Sequence, residues 1–277
     1  MKMHRFVKMH GLGNDFVVFD VRESDFTLGA DQARALSDRR TSVGCDQIIY
    51  IRNSDKADAY LGIQNSDGSN AGACGNATRC VALLLTGGKD GEVTMETEAG
   101  VLQCMVENGQ VSVDLGVPRT DWREIPLAEQ RNTLRLRLGM GSLPEGVAVN
   151  VGNPHIIFFP EAGAGLNIGQ LGPKIECHEL FPERVNVSFA DIESRHRMVL
   201  EVWERGTGVT KACGTAAAAA TVAAVRIGRV ERSVTVQMGG GDLLIEWRPD
   251  DHVILRGSTA LSFEGRLDVE KLGDANA

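Results

Sequence analysis

Short apolar runs recur along the chain in two series that follow the same order. The first half contains FVVFD, DQIIYI and AYLGIQNSDG, and the second half contains HIIFF, RVNVSFA and MVLEVWERG. Runs of about four to eight apolar residues bounded by turn residues predict strands. In each half a helical segment, GADQARALSDRR or GQLGPKIECHEL, follows the first strand. Each half is therefore predicted to begin with a strand (FVVFD or HIIFF) and to end in a meander with hairpin turns at Asn108-Gly109 and around Pro249-Asp250.

The two series are related by a nearly constant step. Cys74 and Cys213 are 139 positions apart, and the same step relates GNDFVVF to GNPHIIF and QIIYI to NVSFA. Beyond the cysteines the step becomes 141, which relates VTMETEAG to VTVQMGGG. Agreement of several segments in one order indicates an internal repeat. We infer two tandem domains, an N-terminal one at 1–117 plus 263–277, where the last stretch returns to it, and a C-terminal one at 118–262.

Each copy contains a run of small and apolar residues that opens on Ala-Cys-Gly. GNATRCVALLL follows Cys74 and stops before Gly87, and GTAAAAATVAAVRI follows Cys213 and stops at Gly228. Glycine just past the last helical residue is a common helix stop. A helix that is apolar on every side is predicted to be enclosed by its own sheet. Both cysteines therefore lie at helix N-termini, where the partial positive charge favours a thiolate and lowers the thiol pKa.

Composition and charge narrow the classes of function. The chain has 277 residues, 43% of them hydrophobic, and a formal net charge of -8. A negative protein is a poor partner for nucleic acid or an anionic membrane. The sequence contains no signal-peptide or transmembrane pattern, so we expect a cytoplasmic protein. The six cysteines form no Cys-x-x-Cys pair and no zinc-type spacing with histidine, so we expect reduced thiols and no metal.

The paired helix ends predict a particular chemistry. Two helix N-termini that face each other would hold a carboxylate through backbone N–H groups. One thiolate would then remove a proton from the neighbouring carbon, and the other thiol would return a proton on the opposite face. The helix ends would stabilise the enolate-like charge that forms between these steps. The alternative is that both cysteines are inert buried residues, duplicated together with their helices.

Polar residues recur at matched positions near the cysteines. The matched pairs are Asn14 with Asn153, Gln47 with Asn186, and Asn65 with Glu204. Arg205 suits bidentate recognition of a carboxylate, and His155 is a candidate to take the proton of a cysteine. For each amide the alternative is local turn chemistry, and for Arg205 it is a surface salt bridge.

The sequence resembles the diaminopimelate epimerase family, which are pyridoxal-independent enzymes of lysine and cell-wall synthesis. The resemblance covers nearly the whole length and rests on MHGLGNDFVVFD, GCDQIIYI, NSDGSNAGACGNATRC, VGNPHIIFF, HELFPERVNVSF and WERGTGVTKACGT. It implies an α/β (α+β) fold of two pseudo-symmetric domains, each a barrel-like sheet around a central helix, with the site in the cleft between them. It also implies two-base epimerisation of LL-2,6-diaminopimelate to the meso form, without cofactor or metal.

The resemblance also implies roles for individual residues. Cys74 and Cys213 match the catalytic pair, and His155 and Glu204 match residues that assist deprotonation of the thiols. The implied substrate-binding set is Asn14, Gln47, Asn65, Gly75, Asn76, Asn153, Asn186, Glu204, Arg205, Gly214 and Thr215. Backbone groups at the two helix ends hold the reacting carboxylate, and Arg205 with the asparagines binds the distal end. The family more often has glycine where this chain has Ala77 and Ala216.

Two alternatives stay open. A proline racemase or hydroxyproline epimerase also uses two cysteines, but its cyclic substrate has no distal carboxylate for Arg205. A redox-responsive binding protein would instead use Cys74 and Cys213 as a regulatory disulfide. The expected partner is a small-molecule substrate rather than nucleic acid or a membrane, and a homodimer is one assembly that the sequence leaves open. Exchange of the substrate proton with solvent distinguishes an epimerase from a binding protein.

Overall fold

The computed structural model describes residues 3–24, 26–72, 74–98, 100–141, 143–161 and 163–272. The chain forms two compact units: unit 1 is Met1–Val113 with Gly257–Ala277, and unit 2 is Asp114–Arg256. The domain boundaries inferred from the repeat remain predictions, and the positions 1–2 and 273–277 that they include lie outside the described residues.

The helices and strands alternate along the chain in two similar series. In chain order they are β1 (Met3–Gly11), β2 (Asn14–Asp20), α1 (Ala30–Ser37), β3 (Gln47–Arg52), β4 (Ala59–Asn65), α2 (Gly75–Leu85), β5 (Gly91–Thr97), β6 (Gly100–Glu107), β7 (Gln110–Asp114), β8 (Gly146–Asn150), β9 (Pro154–Phe158), α3 (Ile168–Glu176), β10 (Asn186–Ser194), β11 (Arg197–Glu204), β12 (Gly208–Thr210), α4 (Gly214–Arg226), β13 (Ser233–Met238), β14 (Gly241–Trp247), β15 (Val253–Ser258) and β16 (Ala260–Asp268), with a 3-10 turn at Val269–Lys271. This mixture of strands and helices confirms the predicted fold class.

The sheet of unit 1 follows the order β16-β1-β2-β3-β4-β5-β6-β7. Strands β2 and β3 are parallel, as are β4 and β5, whereas β1–β2, β3–β4, β5–β6 and β1–β16 are antiparallel. Parallel neighbours need a crossover connection. Helix α1 supplies it between β2 and β3, and α2 supplies it between β4 and β5.

Unit 2 repeats this arrangement. Its sheet follows the order β8-β9-β10-β11-β13-β14-β15, and β12 pairs with β11. The pairs β9–β10 and β11–β13 are parallel, and β8–β9, β10–β11 and β13–β14 are antiparallel. From β8 to β14 the sequence of parallel and antiparallel pairs is that of β1 to β6. The topology therefore confirms the internal repeat read from the 139-residue step.

A helix lies at the centre of each unit. Helix α4 is buried along most of its length and contacts β8, β9, β10, β11, β13 and β14. Alanine dominates it because a methyl side chain lets the surrounding sheet approach closely. Helix α2 contacts β1, β2, β5 and β6 in the same way. Both helices end where predicted, and Gly87 and Gly228 follow them with φ of 62° and 74°.

The other helix of each unit, α1 or α3, packs on the outer face of its sheet. Helix α1 buries Ala33 and Leu36 in a cluster that also contains Phe19, Ile48 and Tyr50. In unit 2 the equivalent cluster gathers α3 with β9 and β10 and borders Trp203. A Cβ at Gly172 of α3 would lie 2.5 Å from Cγ of Trp203, so this close approach requires glycine. Helices α1 and α3 thus cover the outer face of strands whose ends carry the candidate site residues.

The prediction that each copy begins with FVVFD or HIIFF is wrong, because β1 and β8 precede those strands. Lys8 and His10 interrupt the apolar pattern of β1, yet Lys8 is buried and pairs with Asp15 at 2.6 Å. Strand β8 is a short, wholly buried run. The short strand β12 was not predicted either. The strand β16 pairs antiparallel with β1, which brings the C-terminal strand into the sheet of unit 1.

Candidate active site

In unit 1, Cys74 is the N-cap of α2. Its backbone is extended, with φ of −150°, and the first bond inside the helix runs from the Thr78 N–H to the Cys74 carbonyl at 2.9 Å. The N–H groups of the first turn are those that a helix leaves for other partners. At Gly75 a Cβ would meet no atom within 4 Å, so the first turn borders open space. This is the position that the sequence predicts for an anion-binding helix end.

Asn14 contacts the Cys74 sulfur, and Asn76 contacts Asn14. The thiol donates to Oδ1 of Asn14 at 3.7 Å, and Nδ2 of Asn76 donates to the same oxygen at 3.2 Å. Nδ2 of Asn14 donates to Oδ2 of Asp46 at 3.0 Å. Asn14 reaches the sulfur because it is the first residue of β2, next to the strand β1 on which α2 packs. The Cys74 thiol therefore donates to a neutral amide.

Gln47 and Asn65 form a second polar pair in unit 1. They are the first residue of β3 and the last residue of β4, and they face each other in the strand register. Nε2 of Gln47 donates to Oδ1 of Asn65 at 2.9 Å, and Nδ2 of Asn65 donates to Oγ of Ser69 at 3.0 Å. The structure thus joins these two candidates to each other, while Asn14 is the candidate that contacts Cys74 and Asn76 reaches it through Asn14.

In unit 2, Cys213 is the N-cap of α4 and is only 7% exposed. Its sulfur lies 3.4 Å from Oγ1 of Thr215 and accepts a hydrogen bond from the backbone N–H of Ala216. The thiol also hydrogen-bonds the carboxylate of Glu204, the last residue of β11, which accepts a second hydrogen bond from the Thr210 hydroxyl. The immediate partner of Cys213 is therefore a carboxyl group.

Burial sets the acid–base properties of this pair. Burial raises the pKa of the Cys213 thiol, and the charge of Glu204 raises it further, against the opposing effect of the Thr215 and Ala216 hydrogen bonds. Burial also raises the pKa of Glu204. The predicted lowering of the thiol pKa is therefore wrong for Cys213 in this state. The helix end was visible in the sequence, but the burial of the sulfur and the contact with Glu204 were not.

His155 is a neutral imidazole inside unit 2. It is 0% exposed, and its Nε2 lies 2.8 Å from Oδ1 of Asn153, whereas Nδ1 has no hydrogen-bond partner. Burial lowers its pKa to about 3, and the charge of Arg205 acts in the same direction. Since Asn153 offers an acceptor, the proton resides on Nε2 and Nδ1 keeps a lone pair. In the described part of unit 2 no hydrogen bond joins His155 to Cys213, so its role as a proton acceptor stays a prediction.

Asn186 connects the His155 strand to the turn that carries Arg205. It starts β10 beside His155 in the parallel register, and its Nδ2 donates to the Pro154 carbonyl at 2.9 Å. Its Oδ1 accepts the backbone N–H of Arg205 at 3.0 Å. The Arg205 guanidinium is exposed and donates to the Glu183 carbonyl at 2.9 Å. Arg205 thus has a positioned backbone and a solvent-facing cation.

A model described as "Diaminopimelate epimerase" matches residues 6–120 and 147–261, which contain both cysteine helices. The chain belongs to the diaminopimelate epimerase family. The diaminopimelate epimerase of Rhodospirillum centenum is 46% identical over 269 residues, covering 96% of this chain and 92% of the relative. That of Erythrobacter litoralis is 49% identical over 265 residues, covering 95% of this chain and 97% of the relative.

Solved structures with low sequence identity share the fold. A hydroxyproline epimerase from Agrobacterium vitis, solved with bound trans-4-hydroxy-L-proline, superposes with a TM-score of 0.68 at 15% identity, covering 96% of this chain and 92% of that one. At this identity the likeness concerns the fold alone. The two diaminopimelate epimerases above are, by contrast, similar to this chain in sequence over nearly its whole length.

Several polar residues at the site were not predicted. Glu176 is buried and accepts hydrogen bonds from Nε1 of Trp203 at 2.7 Å and from the backbone N–H of Gly206 at 2.9 Å. Arg79 is fully buried in α2. Each could have been noticed as an ionisable residue within an otherwise apolar helix face. Asp46 and Thr210 carry no such signal, because both stand in polar surroundings in the sequence.

The described residues contain no group of three His, Cys, Asp or Glu side chains arranged to hold a metal ion. No helix in the described part of the chain is long and apolar enough to cross a membrane.

Proposed function

We propose that this member of the diaminopimelate epimerase family is an isomerase that converts LL-2,6-diaminopimelate into the meso isomer, a step of lysine and peptidoglycan precursor synthesis. The observation that carries the proposal is the duplicated thiol. Cys74 and Cys213 occupy the same N-cap position of the central helix in their units. Sequence identity of 46–49% to diaminopimelate epimerases over nearly the whole chain supports the same substrate.

The proposed reaction moves two protons. One cysteine, as a thiolate, takes the proton from the α-carbon, and the electron pair delocalises into the adjacent carboxylate. The other cysteine, as a thiol, gives its proton to the opposite face of that carbon and becomes a thiolate. Glu204 accepts the proton of Cys213 when that sulfur must act as a base, since the thiol already donates to its carboxylate. The carbon inverts, and the two cysteines exchange protonation states.

The helix ends would hold the reacting carboxylate. The residues after each cysteine are Gly75-Asn76 and Gly214-Thr215, in the first turns of α2 and α4. Backbone N–H groups at a helix start carry partial positive charge and bind anions. They stabilise the carboxylate most strongly when it acquires the second charge of the enolate-like intermediate. In this proposal the reaction proceeds without a cofactor.

The distal amino-acid end would be recognised by Arg205 and the amides. The Arg205 guanidinium uses one of its nitrogens on the Glu183 carbonyl, and a guanidinium has five N–H donors in all. The remaining donors can pair with a distal carboxylate in a fork geometry. Because a cyclic amino acid lacks that carboxylate, Arg205 favours diaminopimelate over proline or hydroxyproline as the substrate.

The decisive experiment is turnover of LL-diaminopimelate in deuterated water, with chiral analysis of the product by chromatography and mass spectrometry. We expect the meso isomer to appear with one deuterium at the inverted α-carbon. Cys74→Ser and Cys213→Ser should each lower turnover by about 10³-fold, because an alcohol is a poor proton carrier near neutral pH. Cys177→Ser is the matched control, since that cysteine is exposed and is the N-cap of neither α2 nor α4.

Three further arms separate the alternatives. Turnover of hydroxyproline but not of diaminopimelate would replace the proposed substrate. If diaminopimelate binds without deuterium incorporation, and reductant changes that binding, the protein is the redox-responsive binding protein. Arg205→Ala should cripple turnover of diaminopimelate. The homodimer remains a prediction, which light scattering of the purified protein tests directly.

A further inference from the structure

Arg79 is a buried cation in the second turn of α2. It is 0% exposed, its Nη2 donates to Oδ1 of Asn76 at 2.8 Å, and its Nη1 lies 3.5 Å from the Gly75 carbonyl. Its Nε has no hydrogen-bond partner. Burial lowers the pKa of Arg79, but a guanidinium keeps its charge in proteins. No described carboxylate pairs with it, so this charge needs another explanation.

A chain of hydrogen bonds leads from Arg79 to a carboxylate and passes the Cys74 thiol. Arg79 donates to Oδ1 of Asn76, Nδ2 of Asn76 donates to Oδ1 of Asn14 at 3.2 Å, and Nδ2 of Asn14 donates to Oδ2 of Asp46 at 3.0 Å. The Cys74 thiol donates to the same Oδ1 of Asn14. Every bond in the chain therefore points from the cation toward the anion.

The charges at the two ends fix the direction of both amides. A guanidinium can only donate, so Asn76 must turn its oxygen toward Arg79 and its nitrogen toward Asn14. A carboxylate can only accept, so Asn14 must turn its nitrogen toward Asp46. Both requirements place the Asn14 oxygen at the sulfur of Cys74. An amide without such end groups could present either atom.

The Asp46 end is itself held in place. Oδ1 of Asp46 accepts a hydrogen bond from Nη2 of Arg39 at 2.7 Å, and Arg39 also binds Asp15. Oδ2 of Asp46 accepts the backbone N–H of Asp15 as well as the Asn14 amide. Asp46 is thus anchored as an acceptor from two sides.

The chain of hydrogen bonds from Arg79 to Asp46 has no copy in unit 2. A step of 139 residues carries Arg79 to Ala218, Asp46 to Val185 and Asn76 to Thr215. The repeat therefore preserved the cysteine and its helix but placed the buried cation beside Cys74 alone.

We propose that Arg79 and Asp46 are positioning residues for Cys74, because together they fix the polarity of the Asn76–Asn14 amide pair beneath its sulfur. The chain directs the thiol proton toward Asn14 when Cys74 is protonated, and the Arg79 charge offsets the thiolate when it is not. This inference rests on the proposed function, in which Cys74 carries a proton to or from substrate. It adds two residues that touch neither the substrate nor the reacting carbon.

Other ionisable groups on the elements packed against α2 belong to the same environment. Apart from those above, they are His4, Arg5, Lys8 and His10 on β1, Asp15 and Asp20 on β2, Glu92 and Glu96 on β5, Cys104 and Glu107 on β6, and Cys80 on α2 itself. Lys8 and Asp15 pair with each other, and Glu96 pairs with Lys56. The variants described next leave these groups unchanged and alter only Arg79 and Asp46, the two ends of the hydrogen-bond chain.

The test is the pH dependence of Cys74 alkylation by iodoacetamide, followed residue by residue with mass spectrometry. In Arg79→Met the cation is lost, and we expect alkylation at pH 7 to slow by about tenfold, with its pH midpoint shifted upward. In Asp46→Asn a nearby anion is lost and Asn14 is freed to turn its donor to the sulfur. We expect the midpoint to shift downward and alkylation to quicken by about threefold.

Opposite shifts separate positioning from a merely structural effect, which would move both variants alike. Arg79→Lys keeps the charge and should recover at least part of the wild-type profile. Arg226→Met, which removes a half-buried arginine from α4, is the matched control and should leave the Cys74 profile unchanged. Circular dichroism and thermal unfolding establish that each variant is folded. If Arg79→Met does not fold, the inference is tested by the Cys74 alkylation midpoint in Asp46→Asn and Arg79→Lys.

Shifts in the same direction, or an unchanged Cys74 midpoint in folded Asp46→Asn or in folded Arg79→Met, would overturn the inference. Alkylation does not depend on turnover. Opposite shifts in a protein that fails to epimerise diaminopimelate would retain the positioning role and reject only the proposed substrate.

Discussion

The two half-sites share a scaffold but differ in what surrounds the sulfur. Half-site 1 is Cys74 with Asn14 and Asn76, and half-site 2 is Cys213 with Glu204 and Thr215. Cys74 is half-buried and donates to a neutral amide, whereas Cys213 is buried and donates to a carboxyl group. Duplication has kept the thiol at an N-cap in both units, so the requirement for a thiol at a helix end is stronger than the requirement for any one neighbour.

The neighbours of the two sulfurs come from different strands. Asn14 begins β2, and its repeat partner Asn153 binds His155 rather than Cys213. Glu204 ends β11, and its repeat partner Asn65 binds Gln47 rather than Cys74. Each unit therefore recruits a different strand end to its cysteine. This difference gives two similar thiols different proton partners, which a reaction with one acid and one base requires.

The largest effect is expected from Glu204→Gln, which makes the partner of Cys213 neutral like that of Cys74. The carboxylate that accepts the thiol proton is lost, so turnover of diaminopimelate should fall by about 10²- to 10³-fold. The charge of Glu204 raises the pKa of Cys213, so its removal should shift the pH midpoint of Cys213 alkylation downward. Steady-state kinetics and alkylation mapping measure the two effects.

Glu201→Gln is the control for this variant, because Glu201 lies on the same strand and is exposed. It should leave both measurements near wild type. An upward shift of the Cys213 midpoint in Glu204→Gln, or undiminished turnover, would mean that the contrast between the half-sites has no part in proton transfer.

The next effect concerns the turns that precede the two cysteine helices. In unit 2 the buried carboxylate of Glu176 holds the turn through Trp203 and Gly206. In unit 1 the equivalent turn is closed by Asp67 and Ser69 at the surface. Glu176→Ala removes the charged acceptor of two hydrogen bonds, from the half-buried Trp203 indole and the exposed Gly206 backbone, so the free energy of unfolding should fall by about 2 kcal/mol. Denaturant titration measures the loss.

Glu179→Ala removes an exposed carboxylate from the segment just after α3 and serves as the control. The Michaelis constant for diaminopimelate should rise in Glu176→Ala, because the turn also carries Arg205. Equal stability of the two variants would show that the turn of unit 2 needs no internal support.

Much of the fold followed from the sequence because its signals are local. The helices after Cys74 and Cys213 were predicted from apolar residues on every side and glycine beyond the last turn, and α2 and α4 confirm them. The hairpin at Asn108-Gly109 was predicted from its turn residues, and both have positive φ. The strand β1 was missed because Lys8 lies in it, and no local pattern reveals that a lysine will be buried against Asp15.

The sequence predicted less of the site than of the fold, for a related reason. The repeat located Asn14, Asn65 and Glu204 at strand ends, but it did not show which of them contacts a cysteine sulfur. Which strand end reaches the sulfur depends on side-chain length and packing in each unit, and these differ between the copies. The pKa of Cys213 likewise depends on burial, which a helix-end argument does not contain.

A third prediction concerns His155, which unit 1 does not match because Phe16 stands at the equivalent position. Burial lowers the pKa of His155 to about 3, well below its value of about 6.5 in an unfolded chain. The unfolded state then binds the proton first, so the stabilisation present above pH 6.5 is lost as the pH falls toward 3. Between pH 7.5 and 5.5 this group should account for a loss of about 1 kcal/mol.

The comparison is between wild type and His155→Gln, with unfolding free energies measured at both pH values. Gln retains a donor for Asn153 but does not titrate, so the variant should lose about 1 kcal/mol less over this interval. His196→Gln removes an exposed histidine and should lose as much as wild type. A wild-type-like loss in His155→Gln would mean that the imidazole is not kept neutral by burial.

The smallest effect is expected where the half-sites are most alike. Ala77 and Ala216 occupy equivalent positions in the first turns of α2 and α4, and both are 0% exposed. Glycine at either position should lower the free energy of unfolding by about 1 kcal/mol, because it costs backbone entropy in a helix. Turnover should stay within about threefold of wild type, a difference of under 1 kcal/mol in the barrier. Ala224→Gly, near the end of α4, is the control for helix propensity alone. A tenfold gain in turnover at one position only would show that its methyl group crowds the substrate, and that even the matched first turns have diverged.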